Sequence, residues 1–322
     1  MTDERGARTA IGLDIGGTKI ASAVVGADGT VLGELVEATP EHSGAAEVER
    51  VLLRLVERLR AGHAGVGAIG VGAAGIVEWP AGRVRWAPNN AYRDWAVRER
   101  LEGETGLPTV VDNDANVAAL AEARLGPAPR RNMVLVTVGT GIGGGLVLDG
   151  RIYRGPTGLG AELGHMVLNP DGPRCGCGNH GCFEAYASGT ALTRMGRDAA
   201  ADDPDGTIAR LGRAAGAVTG HTVTAAAQQG DPTAQALFAR LGRWLGVGIA
   251  SLANILEVEV VVVGGGLVET GELLLGPART AAREYAYAPQ ARGVVPIEAA
   301  RYGADAGTVG AALLALDEAG RH

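Results

Sequence analysis

The stretch from Glu162 to Glu184, ELGHMVLNPDGPRCGCGNHGCFE, constrains this chain more than any other. It carries all three cysteines, Cys175, Cys177 and Cys182, within eight residues, and His165 lies ten positions before the first of them. Three thiolates and one imidazole complete a tetrahedral set of the mixed S/N kind that zinc favours. Gly176, Gly178 and Gly181 let the backbone fold tightly enough to aim three sulfurs at one point. With four protein ligands no position stays open for an activated water, so the spacing predicts a structural Zn2+. A redox C-x-x-C is excluded, since the pairs are C-x-C and C-x4-C, and a disulfide would strand the third thiol. His180, inside the loop, is a competing ligand. Glu162 and Glu184 bracket the cluster, so a metal that pins His165 and Cys182 also fixes both acids, and the segment reads as the wall of a polar-ligand site.

At 322 residues the chain has room for two domains with buried cores. A net charge of −7 with no Lys/Arg-dense run argues against a nucleic-acid surface. No uninterrupted apolar run of membrane-spanning length and no secretory leader is visible, and MTDERGART reads as a polar tail. Reduced zinc thiolates fit a cytoplasmic location. Of 29 basic residues only Lys19 is a lysine, which singles out that position for a compact ammonium.

In chain order, a buried strand over Ala10–Leu13 runs into Asp14-Ile15-Gly16-Gly17-Thr18-Lys19 and returns as Ile20–Val25; Val31–Val36 makes a third strand. These glycines sit in a hairpin, not before a helix, which excludes the Walker loop and the dinucleotide fingerprint. Such a hairpin still offers backbone N–H groups to a phosphate, with Thr18 and Lys19 as further donors. Apolar positions 48, 51, 52, 55, 56 and 59 predict an amphipathic helix. A strand over Val66–Val71 follows, then a polar turn at Ala87-Pro88-Asn89-Asn90 and a helix from Trp95 to Leu101. The strand Thr109–Val111 delivers Asp112-Asn113-Asp114 to its carboxyl end, where α/β folds place ligands, and a helix begins at Ala115. Asp114 could also cap that helix, but two acids and an amide in a row exceed what a cap requires.

Gly126-Pro127-Ala128-Pro129 reads as a linker between domains. Beyond it, Met133–Val138 enters a glycine turn, Gly139-Thr140-Gly141-Ile142-Gly143-Gly144-Gly145, and returns as Leu146–Leu148. This order repeats the N-terminus and implies two related half-folds whose paired glycine hairpins hold a polyphosphate between them. Residues 201–220 are ambiguous. Thr233–Leu256 reads as a core helix, Glu259–Val263 as a buried strand ending in Gly264-Gly265-Gly266, Glu272–Tyr285 as a helix, Val294–Glu298 as a strand and Thr308–Leu316 as the last helix.

DIGGTK at 14–19, DND at 112–114, GTGIGGG at 139–145, ExGH at 162–165, CGCGNHGCFE at 175–184 and GGG at 264–266 together resemble the ROK family of sugar kinases and repressors, and within it the bacterial ATP-dependent glucokinases. The resemblance implies an α/β, actin-like ATPase (ribonuclease H-like) fold with a structural zinc loop and two domains around a cleft. Residues 1–126 with about 303–322 would form the small domain and 127–302 the large one. It further implies phosphorylation of D-glucose at the 6-hydroxyl by ATP with Mg2+. Asp114 matches the catalytic base. Asn89, Asn113, Asp114, Glu162, His165 and Glu184 match sugar-binding residues, with His165 turning one ring nitrogen to zinc and the other to the sugar. Asp14 matches the residue that helps place Mg2+. Gly16, Gly17, Thr18, Lys19, Thr140, Gly141, Gly143, Gly144, Gly264 and Gly265 match the nucleotide cradle. A homo-oligomer, dimer or tetramer, is also implied. The segment after Asn89, NAYRDW, departs from the family pattern at the sugar-pocket wall. The alternatives are a kinase for mannose, fructose, N-acetylglucosamine or N-acetylmannosamine, and a sugar-sensing regulator; the start of the first hairpin by residue 14 leaves no room for a DNA-binding domain. Polyphosphate-using relatives lack the zinc segment, which favours ATP.

Overall fold

The computed structural model describes residues 9–40, 44–87, 93–126 and 129–320. Asn89 with its Pro-Asn turn, His42, most of the N-terminal tail and the middle of the 126–129 linker lie outside the described residues.

The chain opens with β1 (Thr9–Ile15), β2 (Lys19–Gly26), β3 (Val31–Ala38), α1 (Ala45–Gly62) and β4 (Val66–Ala73). Three short strands follow, β5 (Ile76–Glu78), β6 (Arg83–Trp86) and β7 (Arg93–Trp95), then α2 (Val97–Thr105), β8 (Thr109–Asn113) and α3 (Asp114–Leu125). Next come β9 (Met133–Val138), β10 (Ile142–Leu148), β11 (Arg151–Ile152), a 3-10 turn at Leu163–His165, and helices α4 (Phe183–Ala187), α5 (Gly189–Asp202), α6 (Thr207–Ala214), α7 (Gly220–Gln228) and α8 (Pro232–Leu256). The chain closes with β12 (Val260–Gly264), α9 (Glu272–Tyr285), α10 (Pro289–Arg292), β13 (Ile297–Ala299) and α11 (Ala306–Ala319).

Two five-stranded sheets carry the same internal order. The first runs β3-β2-β1-β4-β8 and the second β11-β10-β9-β12-β13, so each opens with a three-strand meander and continues into two later strands. In the first sheet β1, β4 and β8 are parallel, and the β1–β2 and β2–β3 pairs antiparallel. The sequence hairpins of both halves thus occupy equivalent places, and the repeated order is that of the ribonuclease H-like, actin-like ATPase fold. Two compact units share the chain: Met1–Leu135, Gly145–Ala161 and Arg301–His322 make one, Val136–Gly144 and Glu162–Ala300 the other. Residues 129–135 and 145–161 thus fall with the first unit, where Ile152 joins Val117, Leu120 and Ala121 in one apolar cluster.

Within the first unit, the α1 stripe of Val48, Val51, Leu52, Leu55, Val56 and Leu59 is buried against Ile11, Leu13 and Ile69. On the other face lies α11, whose run from Ala306 to Ala315 is buried throughout. Small residues are what let this helix sit there. A Cβ on Gly12 would lie 1.8 Å from the Thr308 carbonyl oxygen, and one on Gly70 1.8 Å from that of Ala311. In the second unit α8 packs lengthwise on α9, and Gly242 and Gly246 bring its backbone against Leu274 and Ala278. By length and composition α8 could cross a membrane, yet half of its most apolar window is buried inside the protein, as a core helix requires.

Three local expectations change. Trp95 ends β7 instead of opening a helix, because it pairs with Val84 and is only 5% exposed. Gly143, Gly144 and Gly145 belong to β10, and the turn is confined to residues 139–141. Their lack of side chains serves close packing: a Cβ on Gly144 would meet the Leu163 side chain at 2.4 Å. The ambiguous 201–220 stretch closes α5, forms α6 and leads into α7, which starts at a capping box between Thr219 and Thr222.

Candidate functional site

The parallel strands β1, β4 and β8 gather three site residues at their carboxyl ends. Asp14 pairs with Gly72 and Gly72 with Asp112, so one row of the sheet carries an acid, a glycine and an acid. Gly72 leaves space between them; a Cβ there would lie 3.6 Å from the Asp114 Cα and 3.8 Å from Asp14 Oδ1. Asn113 caps α3, its Oδ1 accepting from the Ala115 and Asn116 amides at 2.9 and 3.2 Å, while its Nδ2 donates to the Gly75 carbonyl at 3.1 Å. That frees Asp114, the first residue of the helix, from the capping role; its Oδ1 accepts from Ala115 N–H at 2.9 Å. Burial pushes the Asp114 carboxyl above its ordinary value, opposed by the Ala115 amide. Asp14 is pushed up to about 7, chiefly by burial, then by the facing Asp114 carboxylate, with Lys19 pulling the other way. A nearby cation would oppose both effects.

Above them, the β1–β2 hairpin turns through Gly16, Gly17, Thr18 and Lys19, the last three exposed. Gly16 N–H donates to the Lys19 carbonyl at 3.0 Å, and Thr39 holds the turn from outside: its hydroxyl donates to Gly16 O at 2.8 Å and its amide to Thr18 O at 3.0 Å.

In the second unit the corresponding turn is anchored by the start of α5. Gly189 and Thr190 donate their amides to the Gly139 and Thr140 carbonyls at 2.7 and 3.1 Å. Gly265, at φ +83°, follows β12, and a Cβ there would fall 2.5 Å from the Val138 carbonyl oxygen. Gly264 and Gly265 therefore lie beside the end of β9, next to Gly139.

The zinc segment lies in this unit as well. The ligand atoms of His165, Cys175, Cys177 and Cys182 all lie within 4.8 Å of one another. Cys177 Sγ is 3.7 Å from Cys182 Sγ, and Cys175 Sγ is 3.8 Å from His165 Nδ1. A tetrahedron with Zn–S bonds of about 2.3 Å has S···S edges of about 3.8 Å, so the donor spacing fits zinc. The fit is also electrostatic: burial and then the two neighbouring thiols push Cys182 up to about 12, a crowding that a dication would reverse. His180 stands apart, with Nδ1 3.3 Å from the Gly172 carbonyl. Since Nδ1 of His165 faces the thiols, its Nε2 is left for another partner. Glu162 precedes the 3-10 turn and accepts the His165 amide on its carbonyl at 3.1 Å. Glu184, two residues after Cys182, accepts from the Ile142 amide at 3.0 Å, and its other oxygen lies 3.6 Å from Cys175 Sγ. It thereby ties the zinc loop to the glycine turn, where Gly141 makes room: a Cβ there would sit 2.1 Å from Glu184 Oε2.

The model of the ROK family matches residues 10–318. The chain belongs to the ROK family. A glucokinase of Streptomyces coelicolor is 40% identical over 311 residues, 95% of this chain and 97% of that protein. The structure of a ROK glucokinase from Streptomyces griseus, in complex with glucose and AMPPNP, superposes with a TM-score of 0.82 at 40% identity, covering 96% of this chain and 99% of that one. An N-acetylmannosamine kinase of Escherichia coli is 37% identical over 314 residues, 96% of this chain and 99% of its own.

For this ROK chain the sequence motifs fall into two local groups. Asp14, Gly16, Gly17, Thr18, Lys19, Asn113 and Asp114 lie in the first unit, and Thr140, Gly141, Gly143, Gly144, Glu162, His165, the cysteines, Glu184, Gly264 and Gly265 in the second. Two supporting side chains carried no sequence signal: Thr39, behind the first hairpin, and Arg154, which reaches the DND turn from 42 positions away.

Proposed function

We propose that this ROK chain is an ATP-dependent glucokinase that transfers the γ-phosphoryl group of ATP to the 6-hydroxyl of D-glucose. The observation that carries the reading is 40% identity over nearly the whole length of both chains to a ROK glucokinase seen with glucose and an ATP analogue. In the reaction the bond from the γ-phosphorus to the β–γ bridging oxygen breaks, a bond to glucose O6 forms, and the hydroxyl proton leaves O6. Asp114 accepts that proton. A free carboxylate, with a pKa of about 3.9, is a poor base for an alcohol; burial raises that of Asp114 and brings it closer to its task. The proton moves late, as the new O–P bond forms.

Positioning and charge neutralisation supply most of the remaining catalysis. By the family resemblance, backbone amides of the glycine turns, with Thr18, Lys19 and Thr140, would hold the phosphates, and Gly264 and Gly265 the nucleoside side. Mg2+, held with the help of Asp14, would supply charge neutralisation to the transferred phosphoryl group. By the same resemblance, Asn89, Asn113, Glu162, His165 and Glu184 would orient the sugar. Zn2+ bound by His165, Cys175, Cys177 and Cys182 would supply rigidity to the loop that carries them. Thiolate ligands of this kind fit a reducing, cytoplasmic setting, and the family resemblance implies a homo-oligomer, which light scattering measures directly.

The test pairs a sugar panel with one variant. With ATP, glucose should give the highest kcat/KM among glucose, mannose, fructose, N-acetylglucosamine and N-acetylmannosamine. Asp114→Asn should keep glucose affinity within a few-fold and lose nearly all turnover. A second reading, N-acylhexosamine kinase, rests on the 37% identity to the N-acetylmannosamine kinase; preference for N-acetylmannosamine would replace glucose with it. Near-normal turnover by Asp114→Asn would remove Asp114 as the base.

A further inference from the structure

The DND turn is held by a buried polar network that the roles above do not use. Asp112 is 2% exposed. Its Oδ1 accepts from the Asn113 amide at 2.8 Å and from Asn116 Nδ2 at 2.9 Å, and its Oδ2 accepts from Arg154 Nε at 2.6 Å. Arg154 stands two residues beyond β11, its guanidinium carbon 3.7 Å from the Trp79 ring centroid, and donates from Nη1 to the Ile152 carbonyl at 3.4 Å. Its side chain is 12% exposed. Every one of these residues belongs to the first unit.

Stability alone gives this arrangement little reason to exist. Burying an ion pair costs desolvation that apolar side chains of the same size would avoid. Two further atoms, Arg154 Nη2 and Asn116 Oδ1, are buried without a hydrogen-bond partner, an added cost of the kind that collects at functional sites. What the network does provide is direction. The Asp112 carboxylate is committed on one side to the next amide and to the side chain one helical turn on, and on the other to Arg154. A tilt that moves the Asp112 carboxylate off this position loses one or more of the three bonds. Asn113 is fixed in the same way, through the α3 cap and Gly75. Asp114 comes next in the chain and inherits its aim from the two residues before it.

We propose that Arg154 is a positioning residue for phosphoryl transfer: acting through Asp112, it sets the orientation of the backbone that points the Asp114 carboxylate. The proposal rests on the reading of Asp114 as the base. A displacement of about 1 Å at such a group costs on the order of 100-fold in rate, so loss of Arg154 should appear in kcat and leave ground-state binding in place.

The experiment compares Arg154→Met, Arg154→Lys and Asp114→Asn in the full chain. Thermal unfolding gives the folded fraction, calorimetry the glucose Kd, and steady-state kinetics kcat with the KM for ATP. Expected for folded Arg154→Met is a kcat lowered about 10- to 100-fold with glucose Kd and ATP KM within about threefold, and for Arg154→Lys a partial return of kcat. A purely structural Arg154 would instead lower the melting temperature and leave kcat per folded molecule unchanged, and that result overturns the proposal. If Arg154→Met does not fold, Arg154→Lys decides by the same split between kcat and KM. Asp114→Asn separates the two readings: an inactive Asp114→Asn beside a fully active Arg154→Met sinks the positioning role alone, and an active Asp114→Asn sinks both.

Discussion

Asp14→Asn should make this protein more stable at neutral pH while removing its activity, and the size of the gain follows from the site. Asp14 sits half-buried at the end of β1 with its carboxyl pushed from the ordinary 3.8 to about 7, first by desolvation and then by Asp114. Between those two pH values the folded chain keeps a proton that the unfolded chain releases. Folding is therefore unpenalised by this group below pH 3.8 and increasingly penalised as the pH rises from there to about 7, above which the penalty is constant. At about 1.4 kcal/mol per pH unit the full penalty is about 4 kcal/mol; the partly exposed edge of the carboxylate is screened by water, so about 2 to 4 kcal/mol is expected at pH 8. Asparagine fills the same space without the charge. Urea unfolding of wild type and Asp14→Asn at pH 5 and pH 8, in chelator-treated buffer, measures the difference. It should reach about 2–4 kcal/mol at pH 8 and shrink toward pH 5. Added Mg2+ should stabilise the wild type at pH 8 more than the variant. A variant that is equally stable or less stable at pH 8, or a difference independent of pH, would refute the account of this carboxylate pair.

Three further outcomes test other parts of the molecule. Cys182→Ser should abolish stoichiometric zinc in purified protein and speed proteolysis between residues 166 and 182, because a fully buried ligand is lost; retained zinc would contradict the four-ligand set. Gly70→Ala places a Cβ 1.8 Å from the Ala311 carbonyl and should cost about 3 kcal/mol or more in denaturant unfolding by forcing α11 off the sheet; a change under about 0.5 kcal/mol would mean that α11 is free to shift. Glu184→Ala removes the acceptor of the Ile142 amide and should lower kcat/KM by about tenfold or more, whereas Glu184→Gln, which keeps a carbonyl oxygen for that amide, should lose less. Equal losses would show that the charge matters and the amide contact does not.

What could be read in the sequence was local. The cysteine cluster declared itself because its ligands fall within eighteen residues of His165, and spacing alone selects their geometry. The α1 stripe followed from a period of 3.6, which packing preserved, and β9 from a short apolar run that is buried almost throughout. The DND acids stood out because a strand ended on them. Contacts between distant residues leave no such trace. Arg154 meets Asp112 across 42 positions, and Glu122 accepts the amides of Arg301 and Tyr302 from about 180 positions away. The β5–β7 sheet escaped for a different reason: strands of three or four residues are too short to display alternation. Gly143 to Gly145 looked like turn residues, because composition cannot tell a glycine that bends from one that lets a neighbour in.

Helix α11 has a consequence for how the protein comes into being. It is the last element of the described chain, yet it covers β1 and β4, which are among the first to be made. During synthesis the face of the first sheet that α11 covers stays bare until residues 306–319 have left the ribosome, whereas the 162–300 segment is made before them. The first sheet therefore waits, one apolar face uncovered, for a helix made long after its own strands. A stalled or truncated product would be exposed to aggregation at that face, and a bulky fusion placed after Ala319 should slow maturation more than one placed before Thr9.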